Sequence, residues 1–254
     1  MAEMHPVAPR PAAAIVLLRA GRGGRLEVFM VRRHVQSDFA PDVFVFPGGS
    51  VKPEDRETEL APSLCAPVGK GPTALGSGFR AAALRECFEE AGVLLARRGD
   101  EPLAIGADDV ARYAGYRQAL QQRTLALRAV AERERLRLAT DALIHWAHWI
   151  TPEAFPKRFD THFFLAEMPS SQEAAHDQIE TTASAWINPK GALAQFEQGA
   201  FPLVFAQIHQ LRALAEASTP DDARERFGGG VPRAVMPRVV ERDGAAVILL
   251  PDEV

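Results

Sequence analysis

The stretch Leu84-Arg85-Glu86-Cys87-Phe88-Glu89-Glu90-Ala91-Gly92-Val93 constrains this chain more than any other. Leu84, Cys87, Phe88 and Ala91 follow i, i+3, i+4, i+7 spacing, which on a helix makes one apolar stripe. At about 100° per residue, Glu86, Glu89 and Glu90 then fall within an arc of about 100° on the other side. Three carboxylates facing one way repel each other and weaken the helix. A divalent cation relieves that repulsion, and oxygen donors on a helix suit Mg²⁺ or Mn²⁺, ions that also bridge to phosphate. A solvated acidic face is the plainer reading of ExxEE alone. Two neighbours shift the balance toward a site. Arg85 can brace a carboxylate through a bidentate pair. Pro47-Gly48-Gly49 follows an upstream strand, where glycine permits backbone geometry closed to other residues.

The rest of the pattern is that of an α/β chain. Residues 12–18 form a short apolar run that predicts a buried strand, and 26–31 predicts a second, joined to the first through the Gly21–Gly24 turn. Residues 42–46 predict a third. From 50 to 77 the chain is rich in Pro, Gly and charge, and it reads as a long loop. The acidic helix is expected over 79–95, with Ser77 capping its start and Gly92 near its end. Two more helices are expected within 107–138, where the run of Arg and Glu reads as a solvated face. Strands follow at 142–150, 159–167 and 179–187, then helices at 189–198 and 202–217. A polar linker at 218–232 and a hairpin over 238–250, turning at Asp243-Gly244, close the chain.

Composition sets limits on function. Length is 254 residues, 47% hydrophobic and 24% charged, enough to bury a core without staples. Net charge is −4, so no basic field draws the chain to nucleic acid. Cys65 and Cys87 are far apart and form neither a disulfide scaffold nor a zinc motif. His145 and His148 lie three apart on an alternating strand, which places them on opposite faces and argues against zinc. Trp146, Trp149 and Trp186 read as core. The N-terminus lacks a signal-like apolar segment and no apolar run reaches membrane-span length, so a cytoplasmic chain without a membrane partner is the expectation.

Gly49, Arg85-Glu86, Glu89-Glu90, Gly92 and Val93 together resemble the Nudix box. Asp55 stands six residues after Gly49, where the pattern has a glutamate, and Cys87 fills an aliphatic position. About 22 extra residues, near 56–77, interrupt the box. That interruption resembles the long-insert branch, which includes the peroxisomal coenzyme A and acyl-coenzyme A diphosphatases of animals. Val31-Arg32-Arg33, Phe44 to Gly49, Trp149-Ile150-Thr151-Pro152, Arg158 to Phe164 and Trp186-Ile187-Asn188-Pro189 fit the same branch.

The resemblance implies a Nudix-type α/β/α sandwich with a mixed sheet, as one domain over 12–250 behind a short tail at 1–11. Its surplus lies in the 56–77 insertion, the 107–138 helical segment and the 218–254 extension. It implies hydrolysis of a diphosphate by Mg²⁺ or Mn²⁺ held at Glu86, Glu89 and Glu90, with Arg85 orienting the acids and Glu86 favoured as base. Gly48 and Gly49 would approach the metal or diphosphate, and Arg33 and Arg158, with Arg32, would meet phosphate. Glu180 is the candidate extra acid. The substrate expected is coenzyme A or an acyl-coenzyme A. ADP-ribose, a dinucleotide or a nucleotide sugar is the alternative, and a binding module of the same fold without turnover is a third reading. A homodimer is compatible with all three.

Overall fold

The computed structural model describes residues 6–37, 40–177, 179–242 and 244–253. Its elements in chain order are β1 (Arg10–Ala20), β2 (Leu26–Arg33), β3 (Phe44–Val45), β4 (Gly48–Ser50), α1 (Pro53–Glu59) and α2 (Phe79–Glu86). A π-helical turn, Cys87–Ala91, extends α2. Then come β5 (Ala96–Arg98), β6 (Glu101–Pro102), α3 (Val110–Gln121), α4 (Leu127–Glu134), β7 (Arg137–Leu138), β8 (Ile144–Ile150), β9 (Phe159–Glu167) and β10 (Thr181–Ile187). Helices α5 (Pro189–Glu197), α6 (Phe205–Leu214) and α7 (Pro220–Phe227) precede β11 (Ala234–Val235), β12 (Arg238–Arg242) and β13 (Ala245–Leu249).

The apolar run predicted as a buried strand becomes β1, near the middle of an eight-stranded mixed sheet of order β10-β2-β1-β9-β8-β11, with β3 on β2 and β4 on β1. β1 runs parallel to β9 and antiparallel to β2 and β4. It reads as continuous rather than alternating because both of its faces are covered. Ala13, Ile15 and Leu17 join the core under α2, with Leu84, Phe88 and Phe164. Ala14, Val16 and Leu18 join a second core with Ala192 of α5, Leu211 and Leu214 of α6 and Ala223 of α7. This is the α/β/α layering expected. Each of the large apolar side chains buried here contributes about 1.5–3 kcal/mol. Truncating Leu84, which is fully buried, would cost about 2–5 kcal/mol.

Several local expectations are corrected. The 50–77 stretch is not all loop: β4 pairs with Ala12–Ala14 of β1, and α1 follows with Pro53 at its first turn. A Cβ on Gly48 would sit 2.6 Å from the Ala14 Cβ, so only glycine lets β4 lie this close. The acidic helix is shorter and less regular than 79–95, since its last turn is π-helical and Gly92, at φ 73°, ends it. Ser77 does not cap it. The N-cap residue is Gly78, at φ 87°, and the Ser77 hydroxyl is buried without a hydrogen-bond partner among the described residues. The 218–232 linker contains α7, capped by Thr219, whose hydroxyl accepts from the Asp222 N–H.

His145 and His148 do not face opposite ways. The β8–β9 register shifts between His145 and Ala147, and this bulge resets the alternation. Both rings therefore meet His162, with centroids 4.8 and 4.0 Å away. The β12–β13 hairpin forms as predicted, although Asp243 of its turn and the chain ends at 1–5 and 254 lie outside the described residues. Among the described residues no helix is long and apolar enough to cross a membrane.

Candidate active site

The acidic helix is held at both ends by side chains from the two insertions. A helix leaves its first N–H groups and last C=O groups without internal partners. At the start, the buried Glu59 carboxylate accepts from the Gly76, Gly78 and Ala81 amides at 2.8, 2.7 and 2.9 Å. Burial raises its pKa, while these backbone bonds pull the other way. Arg80 ties the same turn to the Thr73, Thr140 and Leu143 carbonyls. At the other end, Arg117 of α3 donates to the Glu89 and Glu90 carbonyls, both at 2.9 Å, and Gln121 donates to Glu89 at 2.7 Å.

Between these anchors sits the charged cluster. Arg85 is buried and grips Asp55 bidentately, Nε–Oδ1 at 2.9 Å and Nη2–Oδ2 at 3.0 Å. Its Nη1 meets Glu86 at 2.5 Å and Glu89 at 3.4 Å, and Nη2 donates to the Ser50 carbonyl at 2.9 Å. Burial alone would lower the Arg85 pKa, but the Glu86 charge and the Asp55 pair outweigh it and keep the guanidinium charged. Asp55 also accepts from the Lys52 amide at 2.8 Å, so one carboxylate both starts α1 and orients Arg85.

The three glutamates are not equivalent. Glu86 and Glu89 line a cleft of 340 Å³ together with Arg33, Gly49, Lys52 and Glu180. Glu90 lies behind it and accepts the Gly48 amide at 3.1 Å, fastening β4 to the helix. Burial first, and then the neighbouring carboxylates, push up the pKa values of Glu86 and Glu90. Burial and the Glu86 charge do the same to Glu180. A Cβ on Gly49 would collide with the Glu86 carboxylate, which accounts for glycine at that position. The oxygen-only donors, crowded and partly desolvated, form a set that a hard divalent cation would relieve.

The structure thus gathers Gly48, Gly49, Arg85, Glu86, Glu89, Glu90, Arg33 and Glu180. It places Arg158 elsewhere: that guanidinium is buried and donates to the Thr151 and Val7 carbonyls at 3.0 and 2.7 Å. Arg32 is paired with Asp42 at 2.8 Å. Sequence reasoning missed Lys52, Gln121, Glu59 and Arg117. Of these only Lys52 carried a local signal, three residues before an aspartate at a helix start. Trp146, Trp149 and Trp186 pack on the two cores as expected, and Trp149 also lines a neighbouring apolar cleft.

Away from this cluster, His148, Asp160 and His162 bring donor atoms within 4.8 Å of one another, near enough to share a cation. His148 is hydrogen-bonded to Asp160, and His162 to His145 at 2.9 Å. The His148 and His162 rings stack 20° from parallel, so their lone pairs run side by side rather than converge. Burial and the neighbouring histidines hold His145 down to about 3 and His162 to about 4, so both stay neutral near pH 7. Both cysteines are buried and free, and burial pushes the Cys65 thiol up to about 12.

Comparison with known proteins finds relatives along most of the chain. The family model described as the NUDT19 Nudix domain matches residues 68–214, more than half of the chain. The acyl-coenzyme A diphosphatase NUDT19 of Gallus gallus is 28% identical over 298 residues, covering 95% of this chain and 78% of its own. The Homo sapiens protein of the same name is 26% identical, covering 96% and 76%. The crystal structure of a Nudix hydrolase from Alicyclobacillus acidocaldarius superposes with a TM-score of 0.70 at 30% identity, covering 88% of this chain and 99% of that one. With a box split by an insertion and its glutamates braced by one arginine, this chain belongs to the Nudix hydrolases, in the NUDT19 branch.

Proposed function

We propose that this Nudix hydrolase cleaves the diphosphate of coenzyme A or an acyl-coenzyme A, releasing a 4′-phosphopantetheine product and adenosine 3′,5′-bisphosphate. The observation that carries the reading is the convergence of Glu86, Glu89 and Glu180 on one cleft that Arg33 and Lys52 also line. Two relatives that match nearly the whole chain bear the name acyl-coenzyme A diphosphatase, which supports the substrate class. On this reading residues 12–250 act as one domain.

Glu86, Glu89 and Glu90 would hold Mg²⁺ or Mn²⁺. When bound, such an ion neutralises charge on the diphosphate oxygens. The chain's own residues do the rest. Arg85 fixes the Glu86 carboxylate, its closest contact at 2.5 Å, so that the acid does not reorient when substrate arrives. Arg33 and Lys52 attract the diphosphate from the cleft walls. Glu86 accepts the proton of the attacking water, and Glu180, whose pKa is raised by burial and the Glu86 charge, faces the same space as a second acid.

A substrate panel tests this directly. Coenzyme A, an acyl-coenzyme A, ADP-ribose and NADH are incubated with Mg²⁺ or Mn²⁺ and the products weighed by mass spectrometry. Preferential release of adenosine 3′,5′-bisphosphate is expected. Equal or better turnover of ADP-ribose or NADH would overturn the substrate assignment.

A further inference from the structure

The cleft at the glutamates does not end there. A second cleft of 640 Å³ opens beside it, and the two share Lys157, Phe159, Thr161, Phe163, Val204 and Gln207 as common walls. Phe159, Thr161 and Phe163 alternate along β9, so one strand face runs from one cleft into the other. The character of the walls changes along that path. Arg33, Lys52, Glu86, Glu89 and Glu180 line the first cleft. Beyond the shared residues come Trp149, Phe155, Phe205, Pro237 and Ile248, and Lys157 is the sole charged residue described there. Pro237 and Ile248 belong to the C-terminal hairpin region, so the end of the chain completes the apolar wall.

At the junction sits Gln207, 7% exposed. Its amide oxygen is sealed from solvent and has no hydrogen-bond partner among the described residues. An unpaired buried amide is disfavoured by about 1–3 kcal/mol, and it can present either its N–H₂ or its oxygen by turning its last torsion. A ligand that carries an amide past this point would satisfy it.

From these walls we infer that the second cleft seats the fatty-acyl chain of a thioester substrate, and that Gln207 pairs with an amide of the arm leading to it. The inference rests on the coenzyme A reading above and adds where substrate length is sensed. Diphosphate at the glutamates, amide-bearing arm at Gln207 and alkyl chain in the apolar cleft follow the order of groups in an acyl-coenzyme A. The nucleotide end, with its extra phosphate, belongs on the side where Arg33, Lys52 and Arg123 stand. A cleft of this size falls within the range that holds small-molecule ligands.

Two measurements on the full chain test the inference separately from the function. In the first, kcat/KM is compared for coenzyme A and for acyl-coenzyme A thioesters of rising chain length. It should rise by up to about fourfold per methylene until the cleft is filled. Ile248→Asp should abolish this rise while turnover of free coenzyme A stays within about twofold, and Phe155→Ser in the β8–β9 connection should weaken it. In the second, S-alkyl pantetheines without any diphosphate are titrated against tryptophan fluorescence, which Trp149 reports from the cleft wall. Affinity should grow with alkyl length, fall in Ile248→Asp, and drop several-fold in Gln207→Leu at every length. Chain-length-independent binding, or length dependence untouched by both Ile248→Asp and Phe155→Ser, overturns the inference. Length-dependent binding of alkyl pantetheines without coenzyme A hydrolysis would instead retain the apolar site and overturn the proposed reaction.

Discussion

The two ends of the acidic helix are held in opposite ways. At its start a single buried anion, Glu59, collects three amides. At its end two neutral or cationic donors, Gln121 and Arg117, collect the carbonyls of Glu89 and Glu90. Both arrangements complement the helix dipole, negative charge at the N-terminus and donors at the C-terminus. They differ in what they position. Glu59 secures a turn that carries no cleft residue, so its role is to keep the helix in place. Arg117 and Gln121 hold the very residues whose side chains form the charged cluster, so under the proposed function their role reaches the chemistry. One end of this helix is tuned for stability and the other for geometry.

The sharpest probe of the chemical end is Glu89→Gln with Glu90→Gln. Metal-dependent hydrolysis should fall by about a thousandfold or more, with an unchanged circular dichroism spectrum. Retained turnover would show that the charged end is not where reaction occurs. Next is Glu59→Ala, which strands three amides. A loss of about 3 kcal/mol in denaturant melts is expected, with kcat per folded molecule unaltered. A large kcat effect would erase the contrast between the ends. Arg117→Met should do the reverse, lowering kcat roughly tenfold for a stability loss of about 1–2 kcal/mol. An equal loss of stability from Arg117→Met and Glu59→Ala would break the comparison from the other side.

The smallest effect concerns pH. Glu86 and Glu90 have folded pKa values raised above the ordinary 4.5. Between that value and the raised one, the folded state binds more protons than the unfolded, so stability falls as pH rises. Glu86→Gln with Glu90→Gln removes this penalty. The melting temperature of that variant, minus that of the native chain, should therefore grow as pH rises above the ordinary carboxylate value without metal, by about 2–4 °C for each kcal/mol recovered. Added Mn²⁺ should stabilise the native chain most where both carboxylates are ionised. A difference that stays flat with pH would show that the glutamates are not destabilising when ionised.

Local pattern carried the helix and its glutamates, because their spacing repeats within ten residues of chain. It could not carry the π-helical turn at Cys87–Ala91, which has no composition of its own and arises where Arg117 and Gln121 take up carbonyls. The bracing of Glu86 by Arg85 was legible because the two are adjacent. The Asp55 half of that clamp could be placed only through the family spacing. Ser77 looked like the cap because caps are sought next to the helix, whereas the acceptor used comes from α1. The histidine faces failed for a similar reason: a bulge changes strand parity and leaves no mark in composition. Arg158 shows the limit for long side chains, since its backbone position on a stretch that fits the branch says nothing about where the guanidinium lands.

The anchors of the acidic helix also bear on whether this site can be moved to another protein. Glu59 reaches Ala81 across 22 positions, and Arg117 reaches Glu89 across 28. A graft of the box without its insertions would carry the glutamates but leave both helix ends unsatisfied. A short peptide of this sequence would be a poor helix for the same reason. The portable unit is the box together with both insertions, and either insertion can change in length only where Glu59, Arg117 and Gln121 still arrive at the same carbonyls and amides. The segments that interrupt and follow the box in the sequence are, in three dimensions, the fittings that make it transferable.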